Sequence, residues 1–384
     1  MWRILTENFL LLDAIQFAYY GPQIDWQQVM NEGRRRIEGY QKSYFEAQYV
    51  YDLISSVLNE FQSIGHLGIL SADTYDFMLQ MFNDTDGERL FAEVELLSNP
   101  ASKSFYNEVR RTRNLTQRNR VISESRLRYN ILRHYISSWK DNDILYLKVS
   151  SFGFSTLRET EIAIEVLNEI LADRDSVNHI IVDIRGNGGG NTAVWFEGIV
   201  LPLWDGILHM KKLGLTQNGD ENAFFWERNG SEEYIEFFPI SAGNLSDLNL
   251  PTDSIYFENA DFIVLNRYDL IAEEENPDPF NGDIWLLIDK WVYSAADQFA
   301  NIVKHSNFAT LVGQRAAGSN GGVFNSPFLF ILPNTGLAIR YESDISFNHD
   351  GTINQLIGTP PHVEINLEED ILDSVLQIIS QNNY

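Results

Sequence analysis

Two segments of the sequence combine residue types suited to nucleophilic catalysis. In the first, the apolar run Ile180–Ile184 leads directly into the glycine-dense turn Arg185–Asn191, whose consecutive glycines can adopt positive φ and point N–H groups at a ligand. In the second, the apolar run Ile284–Ile288 is followed after a short turn by Ser294, at the predicted start of a helix. A lone serine there is more often an ordinary N-cap. Together, however, the two segments supply a hydroxyl nucleophile and amides that could bind an oxyanion.

The pattern of elements around these segments predicts an α/β fold. From Ile144 onward, apolar strands alternate with amphipathic helices, as in a sheet layered with helices. The predicted strands are 144–149, 180–184, 262–265, 284–289, 310–313, 328–332 and 337–341, and the last helix is near 371–379. We predict three parts: an N-terminal helical bundle at 1–75 with a break at 20–22 and a restart at Asp25, a connector or cap at 76–143, and a core at 144–384. A long insertion at about 206–258 should form a cap or a surface hairpin layer.

Composition narrows the classes of function. The 384 residues include 54 acidic and 28 basic side chains, so the net charge is -26, which argues against nucleic acid or an anionic membrane surface as a partner. There is no cysteine, which excludes disulfides, thiolate metal sites and a cysteine nucleophile. No His-x-x-x-His or clustered His and Asp pattern is present, so we predict neither a metal nor another cofactor. The apolar segment Ile4–Tyr20 contains Glu7 and Asp13, and we expect no signal peptide or membrane span in this chain.

The order of motifs resembles that of the tricorn-core and C-terminal-processing group of serine peptidases. The resemblance covers roughly residues 144–366, from the glycine-dense turn through Ser294 to Leu311–Gln314. It implies a ClpP-like or crotonase-like spiral sheet with helices and a further N-terminal helical domain. It also implies that Ser294 is the nucleophile, and that the amides of Gly188 or Gly189 and of Ala295 form the oxyanion hole. The PDZ module that many processing peptidases carry is not evident, so substrate selection could come from the 206–258 insertion.

A serine nucleophile needs a base, and the sequence argues against lysine. Family members with a Ser-Lys dyad carry lysine after a Gly-x-x-x-x-Gly turn, where this chain has Ser319. No lysine follows Lys304, and the guanidinium of Arg315 stays protonated. The tricorn-like branch instead takes a histidine that follows a helix, and Gly65–His66 matches it, although Ile64 replaces the expected aspartate. His66 is therefore the predicted base.

The sequence offers weaker alternatives for the base and shows one departure from the family pattern. The weaker candidates for the base are His305, His349 and His362. The tricorn-like branch also has a glutamate that helps to orient the site, and Gln355 stands at that position in this chain. A glutamine can form a hydrogen bond but cannot balance an imidazolium. The missing charge could come from Asp350 or Glu342, and the sequence leaves both open.

The resemblance implies a serine peptidase acting on unfolded or short polypeptides. The alternative, motivated by Gln355, Ile64 and the 13% of aromatic residues, is a catalytically weak or inactive member that binds an apolar ligand or peptide. Acyl-CoA chemistry of the crotonase type is disfavoured, because a net charge of -26 suits an anionic CoA poorly. Relatives are commonly exported in bacteria, which favours a periplasmic or extracellular location. The oligomeric state is left open.

Overall fold

The structure is a computed structural model that describes most of the chain. The described residues are 1–12, 31, 35, 46–58, 64–83, 92–112, 123–228, 234–240, 257, 259–270, 278–366 and 368–382. The predicted break at 20–22 and the predicted restart at Asp25 lie outside them, as does part of the 206–258 insertion. Among the described residues, no helix is long and apolar enough to cross a membrane.

The chain divides into two compact units. The first unit contains Met1–Asn119, Lys212–Asn266 and Gly321–Gly351, and the second contains Arg120–Lys211, Arg267–Asn320 and Thr352–Tyr384. The sequence predicts three consecutive parts, whereas these units interleave along the chain. They interleave because strands that are far apart in sequence pair with each other within each unit.

The described helices and strands follow one another along both units. The helices are Trp2–Asn8, Ala47–Leu58, Ala72–Asn83, Ala92–Leu97, Pro100–Thr112, Glu124–His134, Leu157–Leu171, Thr192–Trp195, Leu201–Leu203, Asp220–Arg228, Ala295–Lys304, Asn354–Ile357 and Ile371–Asn382. Short 3₁₀ turns cover Ile64–His66 and Ala172–Ser176, and a π-helical turn covers Phe196–Val200. The strands are β1 (Gly68–Ile69), β2 (Ile136–Asp141), β3 (Ile144–Val149), β4 (His179–Asp183), β5 (Leu208–Thr216), β6 (Ile235–Pro239), β7 (Phe262–Leu270), β8 (Asp283–Ile288), β9 (Thr310–Gly313), β10 (Phe328–Ile331), β11 (Ala338–Tyr341), β12 (Asp344–Phe347) and β13 (Val363–Glu364).

A six-stranded sheet forms the centre of the second unit. Its order is β13-β9-β8-β4-β3-β2, with parallel neighbours except for the antiparallel pair β2 and β3. Leu147, Val182, Leu286 and Leu311 are paired in register across the four inner strands and belong to one apolar core. The residues that alternate with these four along the strands face the other side of the sheet and belong to a second core. That core includes side chains of the helix Ile371–Asn382. Burial on both faces explains why these strands are apolar throughout.

The parallel direction of β4 and β8 has a direct consequence for the predicted site. The two strands are neighbours, with Asp183 paired to Leu287. Their carboxyl ends therefore lie at the same edge of the sheet. The glycine-dense turn leaves β4 at that edge, and the segment that carries Ser294 leaves β8 at the same edge.

Two further sheets account for the rest of the strands. One has the order β1-β11-β10, with antiparallel pairs throughout, and lies in the first unit. The other has the order β12-β5-β7-β6, and the boundary between the units falls inside β5 and β7, at residues 211–212 and 266–267. β5 and β6 lie within the predicted insertion, and they pair antiparallel with β12 and β7, which lie outside it. The described part of the insertion thus contributes two strands, β5 and β6, to a four-stranded sheet.

The predicted α/β fold is confirmed, and most strand positions agree closely. β3 matches its predicted span, and β4, β8, β10 and β11 begin and end within one residue of theirs. β7 continues to Leu270, beyond the predicted end at residue 265. No PDZ domain is evident in the part of the chain that the structure describes.

Candidate active site

Ser294 occupies a strained turn between a strand and a helix. It is the N-cap of the helix Ala295–Lys304, with φ 57° and ψ −128°. A non-glycine residue held in such a conformation costs about 1–3 kcal/mol, and residues of this kind concentrate at functional sites. Its N–H donates to the carbonyl of Gly318 (3.1 Å), and its carbonyl accepts from the N–H of Gln298 (2.9 Å). A half-buried serine on a strained strand-to-helix turn has the backbone geometry of a nucleophile elbow.

The glycine-dense turn packs directly against Ser294. Gly189 has φ +94°, and a Cβ atom added to it would lie 2.7 Å from Ser294 Cβ and 2.8 Å from the nitrogen of Ala295. No side chain fits at these distances. The structure therefore brings Gly189, Ser294 and Ala295 together within the second unit, and only glycine permits the approach.

Two buried polar side chains fix the shape of this turn. Asn187 accepts the N–H of Gly189 (2.8 Å) and donates to the carbonyl of Val149 (3.0 Å), while its own carbonyl accepts the N–H of Tyr293 (3.1 Å). Asn187 therefore ties the turn to the segment that carries Ser294. In the described part of the chain, the N–H groups of Gly188 and Ala295 donate no such bond. Of the predicted oxyanion-hole amides, these two are available in this structure.

Asp183 anchors the beginning of the same turn. Its carboxylate accepts the backbone and side-chain N–H groups of Arg185 and the hydroxyl of Tyr146 (2.7 Å). Burial alone would raise the pKa of Asp183, but the hydrogen bonds from Arg185 and the charge of Lys148 outweigh it, so the pKa lies below its ordinary value. The carboxylate is thus held ionised as a structural support at the end of β4.

We expect Gly189→Ala to be far more damaging than Gly186→Ala. Both glycines have positive φ, +94° and +78°, but a Cβ at position 186 would meet nothing within 4 Å. Gly186→Ala should therefore cost only about 1–2 kcal/mol, the penalty for the left-handed backbone. Gly189→Ala must also displace Ser294. Thermal unfolding and the reactivity of Ser294 towards a serine-directed probe measure the two effects, and equal losses in the two variants would contradict the packing argument.

His66 lies in the first unit, buried against a carboxylate. It ends the 3₁₀ turn Ile64–His66 with φ 55°, and its Nδ1 is 2.6 Å from Oε1 of Glu342. The side chain of His66 is 4% exposed and that of Glu342 is wholly buried. The N–H of Glu342 donates to the carbonyl of Gly65 (2.7 Å), next to the pairing of β1 with β11. The carboxylate can only accept, so the hydrogen lies on Nδ1 and leaves Nε2 as the basic nitrogen.

Of the two carboxylates that the sequence left open, Glu342 is the one that contacts His66. Asp350, the other candidate, is exposed in a turn. The structure brings His66 and Glu342 together in the first unit, while Ser294 and Gly189 meet in the second. The assignment of His66 as the base of Ser294 stays a prediction.

Gln355 is buried in the short helix Asn354–Ile357 of the second unit. Its neighbour Asn354 donates to Asp297 (2.7 Å), and the N–H of Thr359 donates to the same carboxylate (3.0 Å). Asp297 is in the first turn of the helix that Ser294 caps. The segment with Gln355 is thus fastened to that helix, and the predicted orienting role of Gln355 stays a prediction.

The other histidines have different environments. His305 and His349 are exposed. Nδ1 of His362 accepts the N–H of Leu311 (2.9 Å), and its Nε2 donates to the carbonyl of Lys304 (3.1 Å). Burial lowers the pKa of His362, which suits a neutral ring with both nitrogens in use. His362 therefore supports the fold. In the described residues, no group of three or more histidines and carboxylates could hold a metal ion.

Comparison with known families identifies the kind of protein. The model of peptidase family S41 matches residues 143–365, which is more than half of the chain. The chain belongs to peptidase family S41. The predicted resemblance to tricorn-core and C-terminal-processing serine peptidases is confirmed, and this S41 member thus belongs to a family of serine-type peptidases.

Individual relatives are distant. An uncharacterised protein of Chlamydia muridarum is 27% identical over 210 residues, covering 48% of this chain and 34% of its own length. A protein of Chlamydia trachomatis is 24% identical over 270 residues, covering 61% of this chain and 44% of its own length. The chain therefore spans less than half the length of these relatives. The crystal structure of a CPAF mutant matches with a TM-score of 0.51 at 13% identity, covering 94% of this chain and 90% of that chain, which is a likeness of fold.

Proposed function

We propose that this S41 family member hydrolyses peptide bonds with Ser294 as its nucleophile and His66 as its general base. The observation that carries the proposal is the strained backbone of Ser294, packed against Gly189 at the start of a helix. The protein tolerates an unfavourable conformation at the one serine that the family resemblance assigns to catalysis. Such strain is expected where a hydroxyl must be presented to a substrate.

In the proposed mechanism, Nε2 of His66 takes the proton of the Ser294 hydroxyl while the oxygen attacks the peptide carbonyl carbon. The carbonyl π electrons move onto oxygen, and the N–H groups of Gly188 and Ala295 bind the resulting oxyanion. His66 then gives its proton to the leaving amine, and an acyl-enzyme is formed. Water attacks the ester as His66 takes its proton; the tetrahedral intermediate then expels the Ser294 oxygen, which regains the proton from His66, and the carboxylic acid product leaves. Glu342 stabilises the imidazolium in both halves of the cycle.

The buried Glu342 favours this proposal over the binding alternative. That alternative rested on Gln355, which cannot balance an imidazolium. A carboxylate 2.6 Å from His66 supplies the missing charge from another position. Burying a carboxylate costs desolvation and is a poor way to stabilise a fold, so a catalytic use accounts better for Glu342.

We propose unfolded or short polypeptides as substrates, as the resemblance to processing peptidases implies. The net charge of -26 disfavours nucleic acids and anionic membranes as partners, because both would be repelled. A periplasmic or extracellular location belongs to the same proposal.

The proposal predicts that a fluorophosphonate probe labels Ser294 and that His66→Gln slows the labelling by about 100- to 10,000-fold, the usual contribution of a general base. The intact protein is incubated with the probe, digested, and the labelled peptide is identified by mass spectrometry. His349→Gln is the matched control, because it removes an exposed histidine of the same unit. Labelling of Ser294 at equal rates in both variants would eliminate His66 as the base. No labelling in the wild type would favour the binding alternative, which extraction of bound ligands then examines.

A further inference from the structure

The turn Gly321–Val323 is held by an unusual set of buried side chains. Four of its backbone groups are each bonded to one of them: the N–H of Gly321 to Glu342 (3.3 Å), the carbonyl of Gly322 to Lys212 (2.8 Å), the N–H of Val323 to Asp344 (2.9 Å) and the carbonyl of Val323 to Asn266 (2.7 Å). Each of these side chains is at most 4% exposed. Ionisable groups are expensive to bury, so a turn that needed only structural support would be expected to use neutral partners.

The turn connects a second carboxyl group to the His66 pair. Oε1 of Glu342 accepts both from His66 and from the N–H of Gly321. Two residues along the turn, Val323 donates to Asp344. Glu342 and Asp344 therefore accept N–H groups of the same turn. The charge of one carboxyl changes the free energy of ionising the other.

The number of charges in this cluster implies a shared proton. Two buried carboxyls, Glu342 and Asp344, lie near one buried ammonium, Lys212, with His66 next to Glu342. With His66 neutral, the cluster has no net charge only if one of the carboxyls is protonated. Burial, reinforced by the charge of Glu342, raises the pKa of Asp344 to about 8, although the N–H of Val323 and the charge of Lys212 pull it down. Asp344 is thus the carboxyl of the cluster to which the shared proton is assigned.

We propose that Asp344 is a positioning residue for the Glu342–His66 pair, carrying the proton at neutral pH and making His66 a stronger base when the proton is lost. Loss of that proton to solvent adds one negative charge to the cluster. The added negative charge stabilises the imidazolium that forms when the neutral imidazole of His66 takes the proton of Ser294. The effect on catalysis rests on the proposed function. The protonation of Asp344 does not.

The pH profile of probe labelling tests this proposal. In the wild type, the rate of Ser294 labelling should rise near pH 8, as Asp344 ionises. We call this the second rise, to separate it from a rise at lower pH. Asp344→Asn imitates the protonated carboxyl, so this variant should lose the second rise. Lys212→Met should move the second rise to higher pH, because Lys212 lowers the pKa of Asp344. Asp350→Asn, which changes an exposed carboxyl of the same unit, should leave the profile unchanged. A second rise that persists in Asp344→Asn overturns the proposal.

Infrared spectroscopy provides a readout that needs no activity. The wild type, prepared with ¹³C-labelled aspartate, should show the carbonyl band of a protonated aspartic acid at neutral pH, and the band should vanish as the pH is raised past about 9. Asp344→Asn should lack it. If the band is absent from the wild type at neutral pH, the inference fails even when Ser294 is labelled. If the band is present but Ser294 stays unlabelled, the proposed function fails and the protonation of Asp344 stands. Absence of the band from the wild type overturns the inference even if a variant does not fold.

Discussion

Ser294→Ala is expected to abolish peptide cleavage, with a fall in kcat of about a million-fold, the loss found when the nucleophile of a serine peptidase is removed. The methyl group cannot form the acyl-enzyme, while the helix N-terminus and the amides around the site stay in place. The measurement is the cleavage of an unfolded, fluorescence-quenched protein by the full chain. Ser306→Ala, which changes a serine beyond the other end of the same helix, is the control and should keep full activity.

A second variant at the same position separates strain from chemistry. Ser294→Gly also removes the hydroxyl, but glycine adopts positive φ without penalty. It should therefore be as inactive as Ser294→Ala and more stable by about 1 kcal/mol. Chemical unfolding of the two variants measures the difference. If the glycine variant were no more stable, the backbone of Ser294 would not be strained, and cleavage by either variant would mean that another residue is the nucleophile.

The second unit was largely predictable because its strands are buried on both faces. Burial on both sides makes β4 and β8 continuous apolar runs, and polar segments follow them immediately. Parallel pairing then places those segments at one edge of the sheet. The sequence pattern therefore predicted the neighbourhood of Ser294 and the glycine-dense turn. The role of Asn187 could also have been recognised, because asparagine side chains commonly accept the N–H two residues further along a turn.

The pairing of His66 with Glu342 could only be a guess from the sequence. The two residues are 276 positions apart. They meet because β1 pairs with β11, with Gly68 opposite Arg340, and β1 has only 2 residues, too few to show a pattern in the sequence. The register of such a short pair is set by the tertiary structure around both strands, which the sequence pattern does not reveal. For the same reason the sequence did not predict the interleaved units, nor that Glu342 and Asp344 hold one turn.

Glu342→Gln is expected to lower kcat/KM for peptide cleavage by about 10,000-fold, the effect of the corresponding carboxylate-to-amide change in a Ser-His-Asp triad. The amide oxygen of glutamine can still accept the N–H of Gly321, so the turn should be kept. An amide cannot balance an imidazolium, however, so the transfer of the Ser294 proton to His66 should become strongly unfavourable. The measurement is kcat/KM for the quenched protein substrate, together with the rate of probe labelling.

Two further variants make the Glu342→Gln result specific. Asp350→Asn changes the other carboxylate that the sequence offered and should leave kcat/KM unaltered. Adding Gln355→Glu to Glu342→Gln places a carboxylate at the position where the tricorn-like branch has one. Recovery of activity in the double variant would mean that a charge at position 355 can replace Glu342. Glu342 would then supply in this chain the charge that the glutamate at the position of Gln355 supplies in the tricorn-like branch. A loss of less than tenfold in Glu342→Gln itself would mean that His66 does not gain a proton during turnover, since an uncompensated imidazolium in so buried a site would be strongly disfavoured.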